Sequence, residues 1–213
     1  MPLLYIKNLD DTTRLGIWKV EETIDELQAQ LMLNQQELDF FSTLKKGKRN
    51  LHWLAGRVMI RTLLETSDFI QVKEDEFGKP YLPDFDYEIS ISHSYDYAGV
   101  MIGKHKVGID IEKMKKDLMS LAPKFLSLPE INNLNPIDHS KQLYVNWCAK
   151  EALYKLYGKK ELSFKHNIII KGFDFSSKNM IQAEIRKDNF YKEFEVIYDE
   201  FVPGYMLAYV IDN

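Results

Sequence analysis

The chain has 213 residues, of which 45% are hydrophobic and 28% charged, with a formal net charge of −4. It is long enough for a sizeable core in one domain or two small lobes, its composition is that of an ordinary soluble protein, and its charge excludes a global basic field for nucleic acid. No run approaches the ~20 apolar residues of a membrane span, and the start MPLLYIKNLDD has no basic stretch ahead of a long apolar one, so no signal peptide is expected. The single cysteine, Cys148, excludes an internal disulfide and a cysteine-based zinc site and fits a reducing cytoplasm. Its apolar flanks mark it as a small packing residue.

In chain order, Leu3–Lys7 and Leu15–Val20 read as strands around the turn cluster Asp10–Thr13. Glu21–Leu33 has helical spacing, with Ile24, Leu27 and Leu31 on one face. Asn34 with Glu37 three residues on is a capping-box start for a second helix. Gly47 marks a break before Asn50–Leu64, a helix with Leu51, Leu54, Val58 and Leu63 on one side and Arg49, His52, Arg57 and Arg61 on the other. Ile70–Glu74 reads as a strand, and Phe77–Pro80 as a turn. Tyr87–Ser92, Tyr97–Ile102 and Val107–Glu112 read as a meander of three antiparallel strands. Lys113–Asp117 is a polar connector, Leu118–Leu126 a short helix, and Pro129–Glu130 a possible start of another, where a first-turn carboxylate favours the dipole. Ser140 can cap a helix that runs to Tyr157 and ends at Gly158. His166–Lys171, Met180–Arg186, Phe190–Tyr198 and Tyr205–Ile211 complete the pattern as strands.

Two stretches carry chemistry. In VGIDIE (Val107–Glu112), residues two apart share a strand face, so Asp110 and Glu112 point one way while the isoleucines enter a core. In WCAKEALYK (Trp147–Lys155), residues four apart stack on one helix face, which aligns Trp147, Glu151 and Lys155. If strand and helix meet, three carboxylates converge beside one ammonium. Oxygen ligands of that kind suit Mg²⁺, which keeps waters and takes substrate phosphates, and the lysine suits a phosphate oxygen. Each motif alone is more often a polar strand face or a solvated helix face.

At these residues the chain resembles the 4′-phosphopantetheinyl transferase superfamily, marked by a G-[IV]-D-[IV]-E strand and a W-[ST]-x-K-E-[AS]-x-x-K helix. Two further marks precede them in order, FGKPYLP (Phe77–Pro83) and ISISHS (Ile89–Ser94). The length is similar to the two-lobed, surfactin-synthetase-activating type. Cys148 replaces the family's small hydroxyl residue, a departure not expected to touch the chemistry. The resemblance implies an α+β fold of two similar lobes, 1–104 and 105–213, each an antiparallel sheet packed with helices and related by a pseudo-two-fold axis, with the active site between them. It implies Asp110, Glu112 and Glu151 as Mg²⁺ ligands, and Lys155 at the pyrophosphate of coenzyme A. Lys79, Ser92 and His93 would contact coenzyme A, His93 at the 3′-phosphate. A basic residue of the Arg49–Leu64 helix, with Arg49 and Arg57 as candidates, would join it. Glu130 follows a family-like K-F-L-S segment and is read equally as a general base or a first-turn glutamate; Glu151 or a metal-bound hydroxide are the other candidate bases. Lys150 is a second phosphate candidate, turned about 100° from Glu151 on the helix.

The function implied is transfer of the phosphopantetheine arm of coenzyme A to a serine of an apo acyl or peptidyl carrier protein in the cytoplasm, releasing adenosine 3′,5′-bisphosphate. Nucleic acid and membrane are not expected as partners, and the two-lobed type often works as a monomer. Two other readings compete: a non-catalytic carrier-protein- or coenzyme-A-binding module of the same fold, which would lack a ligand, and a Mg²⁺-dependent nucleotide hydrolase, which leaves the turn, the Ser-His loop and the helix motif unexplained together.

Overall fold

A computed structural model of the protein describes residues 3–44, 47–115, 117–137, 139–175 and 179–212. The first half contains β1 (Leu3–Asn8), β2 (Arg14–Lys19), α1 (Ile24–Gln28), α2 (Gln35–Thr43), α3 (Lys48–Leu64), β3 (Lys73–Glu74), β4 (Pro80–Tyr81), β5 (Glu88–Ser94) and β6 (Tyr97–Gly103). The second contains β7 (Val107–Lys113), α4 (Ala122–Phe125), α5 (Leu128–Asn132), α6 (His139–Tyr157), β8 (Ile168–Ile170), β9 (Met180–Lys187), β10 (Phe190–Val202) and β11 (Tyr205–Ile211). The strands form two antiparallel sheets, β1-β2-β6-β5-β4-β3 and β7-β11-β10-β9-β8. The class is α+β, as the sequence leads one to expect. Among the described residues no helix is long and apolar enough to cross a membrane.

One expectation is corrected. The meander does not form, because β6 already has β2 on one edge and β5 on the other. No edge remains for the third strand, so β7 leaves that sheet and pairs with β11, Ile111 opposite Leu207. Several helices are also shorter than their apolar spacing suggests. Only Ile24–Gln28 of the first forms, started by a Thr23–Glu26 capping box, whereas the Asn34–Glu37 box stands as read. The helix read at Leu118–Leu126 shrinks to α4. Ser140 lies inside α6, already under way at His139; the residue ahead of it, like Lys116 in the polar connector, is outside the described residues.

The core explains the order of layers. Leu54, Val58 and Met59 of α3 pack on Ile89, Val100 and Ile102 of the first sheet. The other face of that sheet, through Leu15, Ile17 and Met101, meets Val107, Ile109 and Ile111 of β7 with Leu207 and Tyr209 of β11. The reverse face of the second sheet, including Met206, Ala208 and Val210, packs under Ala149, Ala152, Leu153 and Leu156 of α6. The period-2 alternation of β7 thus sends its isoleucines between the sheets and turns Gly108, Asp110 and Glu112 toward α6.

Gly108 sets how closely α6 approaches. A Cβ built there would lie 2.0 Å from the Ala152 carbonyl oxygen, a helix backbone atom that cannot step aside. Overpacking of a core commonly costs about 1–3 kcal/mol, and a backbone obstacle belongs at the upper end. Gly108→Ala is therefore expected to lower unfolding stability by about 3 kcal/mol in urea titration; a loss within error of zero would show that the helix can lift away from the strand.

Candidate active site

Only one edge of β7 is occupied by β11. The amides on the other edge, Ile109, Ile111 and Lys113, donate to the hydroxyls of Ser90, Ser92 and Ser94 at 3.1, 3.1 and 3.0 Å. The alternation of ISISHS places those serines on one face of β5, and a constant offset of 19 residues aligns the two strands in parallel. The sheets are thus joined by side chains where no backbone ladder exists. Two of the hydroxyls go further: Ser92 donates to Asp110 Oδ1 at 2.8 Å, and Ser94 to Glu112 Oε2 at 3.2 Å.

From above, α6 supplies the rest. Lys155 Nζ donates to the Ile109 carbonyl at 3.0 Å and to Asp110 Oδ1 at 2.8 Å. Trp147 Nε1 donates to Glu112 Oε1 at 3.1 Å. Asp110 is buried, and its second oxygen, Oδ2, has no hydrogen-bond partner. The Glu151 carboxyl makes no hydrogen bond or ion pair among the described residues; burial, followed by the Asp110 charge, raises it to about 7 despite Lys155. Burial and then Asp110 also raise Glu112. The three carboxylates therefore feel one another, with one ammonium among them. Among the described residues no group of three or more acidic, imidazole or thiol side chains stands in an arrangement that could hold a metal ion as it is. Cys148 is fully buried, and burial with the Asp110 carboxylate beside it pushes its thiol well above the ordinary range.

A cavity of about 340 Å³ opens beside this cluster, lined by Lys79, Lys155, Lys159 and Lys160 with Phe77 and Tyr154. Gly158, at φ +77°, ends α6 in the left-handed conformation open to glycine, and the stem of Lys79 packs against it. Lys79 Nζ is held by Glu88 at 2.9 Å. Past Pro80 and Ile91 the space continues into a second groove lined by Arg49, His52, Trp53, Arg57 and His93. His93 stacks on His52 at 4.5 Å between ring centroids. Its outer side is open, but burial of the rest, then His52 and Lys155, lowers it to about 4. His52 is lowered too, chiefly by burial, and bonds the Tyr95 carbonyl.

The candidates separate. Asp110, Glu112, Glu151 and Lys155 come together, and Lys79 and Lys155 share a cavity. Arg49 stands exposed in the neighbouring groove, whereas Arg57 lies 3.4 Å over the Trp53 ring and pairs with Glu37, and burial lowers it to about 10. Ser92, expected at coenzyme A, has its hydroxyl committed inside the protein, to Ile111 and Asp110. Glu130 takes the first-turn role: Oε2 accepts from the Ser127 amide and hydroxyl at 2.7 and 2.8 Å, and Oε1 from the Ile170 amide and Lys150. Lys150 is neither solvated nor at a phosphate site; it is fully buried, 2.7 Å from Glu130. The 100° that separates it from Glu151 turns it into the core beneath α6. Sequence reading missed the serine ladder, the Trp147–Glu112 bond, and Lys159 and Lys160. The three alternate serines of ISISHS were the available signal for the first.

Comparison with known proteins gives the same family. The family model of the 4′-phosphopantetheinyl transferase superfamily matches residues 106–210. The chain is 31% identical over 177 residues to the 4′-phosphopantetheinyl transferase gsp of Aneurinibacillus migulanus, covering 80% of this chain and 71% of that protein. It is 31% identical over 144 residues to 4′-phosphopantetheinyl transferase Sfp of Bacillus subtilis strain 168, covering 59% of this chain and 64% of that protein. Two antiparallel sheets joined at a cleft of carboxylates and lysines, together with these matches, place the chain in the 4′-phosphopantetheinyl transferase superfamily. It is a transferase of the phosphopantetheinyl type.

Removing one partner of a buried ion pair costs about 3–5 kcal/mol, whereas replacing both with apolar groups is often neutral. Glu130→Leu and Lys150→Met should each destabilise strongly, and the double variant should recover much of the loss in a urea double-mutant cycle. Additive losses would separate the two residues energetically. The lowered imidazoles carry a pH signature. Their neutral forms stabilise the fold fully above the free value of 6.5, and that contribution fades as pH falls below it, for His93 down to about 4. His93→Gln should flatten the thermal stability profile across that window; an unchanged slope would place the acid sensitivity elsewhere.

Proposed function

We propose that the protein transfers the phosphopantetheine arm of coenzyme A to a serine hydroxyl of an apo acyl or peptidyl carrier protein and releases adenosine 3′,5′-bisphosphate. The observation that carries the reading is the meeting of Asp110, Glu112, Glu151 and Lys155 beside a lysine-lined cavity. In the reaction a bond forms between the serine oxygen and the β-phosphorus of the pyrophosphate, and the bond from that phosphorus to the bridging oxygen breaks. The negative charge left on the adenosine phosphate must be neutralised, and the serine proton must find an acceptor.

By donor type the residues suit Mg²⁺. The donor set is all oxygen, Asp110 Oδ2 is buried and unpartnered, and Glu112 and Glu151 are raised first by burial and then by the Asp110 charge. Asp110, Glu112 and Glu151 would hold the ion, which when bound supplies Lewis-acid neutralisation of the pyrophosphate oxygens. Lys155 serves the leaving phosphate. Glu151, whose carboxyl no hydrogen bond or ion pair commits among the described residues, is the side-chain candidate to take the serine proton. Glu130 is not proposed for that role, because both its oxygens are committed. Lys79 faces the pyrophosphate, and His93 with Arg49 the 3′-phosphate. His93, neutral at pH 7, can donate one hydrogen bond there.

The test is mass spectrometry of apo carrier proteins incubated with the protein, coenzyme A and Mg²⁺. A mass gain of one phosphopantetheine on the carrier is expected, and none when Mg²⁺ is chelated. Asp110→Ala and Glu151→Ala should each reduce turnover by about 10²–10³, the cost of deleting one electrostatic group. Near-normal turnover in either folded variant would refute its place in the centre. Release of nucleotide products without any carrier would favour a hydrolase instead.

A further inference from the structure

We propose that Ser92 and Ser94 are positioning residues for the reaction, fixing the conformations of the two β7 carboxylates as well as closing the strand edge. The inference rests on the reading of Asp110 and Glu112 as the ion site and extends it to the residues that prepare that site.

The ladder contains its own internal comparison. A serine hydroxyl has one hydrogen to donate and two lone pairs to accept with. All three rungs use a lone pair identically, each accepting one β7 amide from Ile109, Ile111 or Lys113. If edge closure were the whole role, the rungs would be equivalent. They are not. Ser90 donates to no carboxylate, whereas Ser92 donates to Asp110 and Ser94 to Glu112. The parity of both strands makes this pairing unavoidable, since the residue before each tied amide on the two upper rungs is an acid facing α6.

The consequence for Asp110 is directional. Ser92 and Lys155 both donate to the same oxygen, Oδ1, each at 2.8 Å. Two donors on one oxygen fix the carboxylate plane and leave Oδ2 as the single open acceptor, buried and unpartnered. Lys155 belongs to a long side chain that must also serve the substrate. The Ser92 hydroxyl is short and already immobilised by the Ile111 amide, so it holds Asp110 when the ammonium moves. Glu112 is held at both ends in the same manner, by Trp147 on Oε1 and Ser94 on Oε2. Partners of this kind, one bond removed from a metal ligand, typically change metal affinity 10–100-fold when lost.

The test uses the full chain without coenzyme A and follows Mn²⁺ binding by electron paramagnetic resonance, with thermal unfolding alongside. Ser92→Ala and Ser94→Ala should each weaken Mn²⁺ binding about 10–100-fold. Ser90→Ala should lower the unfolding temperature yet leave Mn²⁺ affinity unchanged, and Ser92→Thr, which keeps the hydroxyl, should restore much of what Ser92→Ala loses. If Ser92→Ala does not fold, Ser94→Ala decides the matter. Parent-like Mn²⁺ affinity in the alanine variants, with only stability reduced, would overturn the positioning role while leaving the ion-site reading intact. A parent protein that takes up no Mn²⁺ would instead overturn the ion-site reading and this proposal with it.

Discussion

The open edge of β7 is the constraint on which the rest of the structure depends. A strand that pairs on one side only leaves amides that are costly to bury unsatisfied. Here those amides lie inside the protein, between two sheets that share no backbone ladder. Serine is the side chain that solves this geometry. It is short enough to bridge closely adjacent strands, its oxygen accepts the amide, and its hydrogen remains for a second partner. The join between the sheets is therefore also the floor of the site. A longer polar residue would separate the strands, and an apolar one would leave each buried amide unpaired at about 1–3 kcal/mol.

The same strand explains the electrostatics. Its isoleucines are enclosed between the sheets, so its polar parity has only the underside of α6 to face. Gly108 lets that helix come close, and the helix period brings Glu151 and Lys155 down onto Asp110. Packing thus forces like charges together in a half-buried place. The result is visible in the raised Glu112 and Glu151 carboxyls and in the orphaned Asp110 oxygen. Such an arrangement is unfavourable for stability alone and favourable for a site that receives cations and phosphates. By contrast, Glu130 and Lys150 form a pair satisfied on every side, which locks α5, α6 and β8 together and has nothing left to offer a substrate.

Much of this was legible in the order of residues. Alternation along Val107–Glu112 and the four-residue spacing of Trp147, Glu151 and Lys155 sufficed to name the four central side chains, because strand and helix periods are local properties. The capping box at Asn34 and the helix end at Gly158 were readable for the same reason. What failed was partnership. Nothing local in Val107–Glu112 says whether it pairs with the preceding hairpin or with a strand about a hundred residues later. Nothing in the K-E pair at Lys150 and Glu151 says that one points into the core and the other into the cleft. The two candidate arginines of α3, Arg49 and Arg57, looked equivalent until Trp53 and Glu37 were seen to hold Arg57.

The sequence by itself determined which residues share a face, since that follows from backbone period and sterics, and through its motifs it determined the family. Only the tertiary structure decided which faces meet. It diverted β7 from the first sheet to the second, tied the Ser92 hydroxyl to Asp110 and the Ile111 amide, and closed Glu130 against Lys150. Those outcomes depend on which strand edges are already occupied and which charges can be satisfied together, and both are settled between segments distant in the chain.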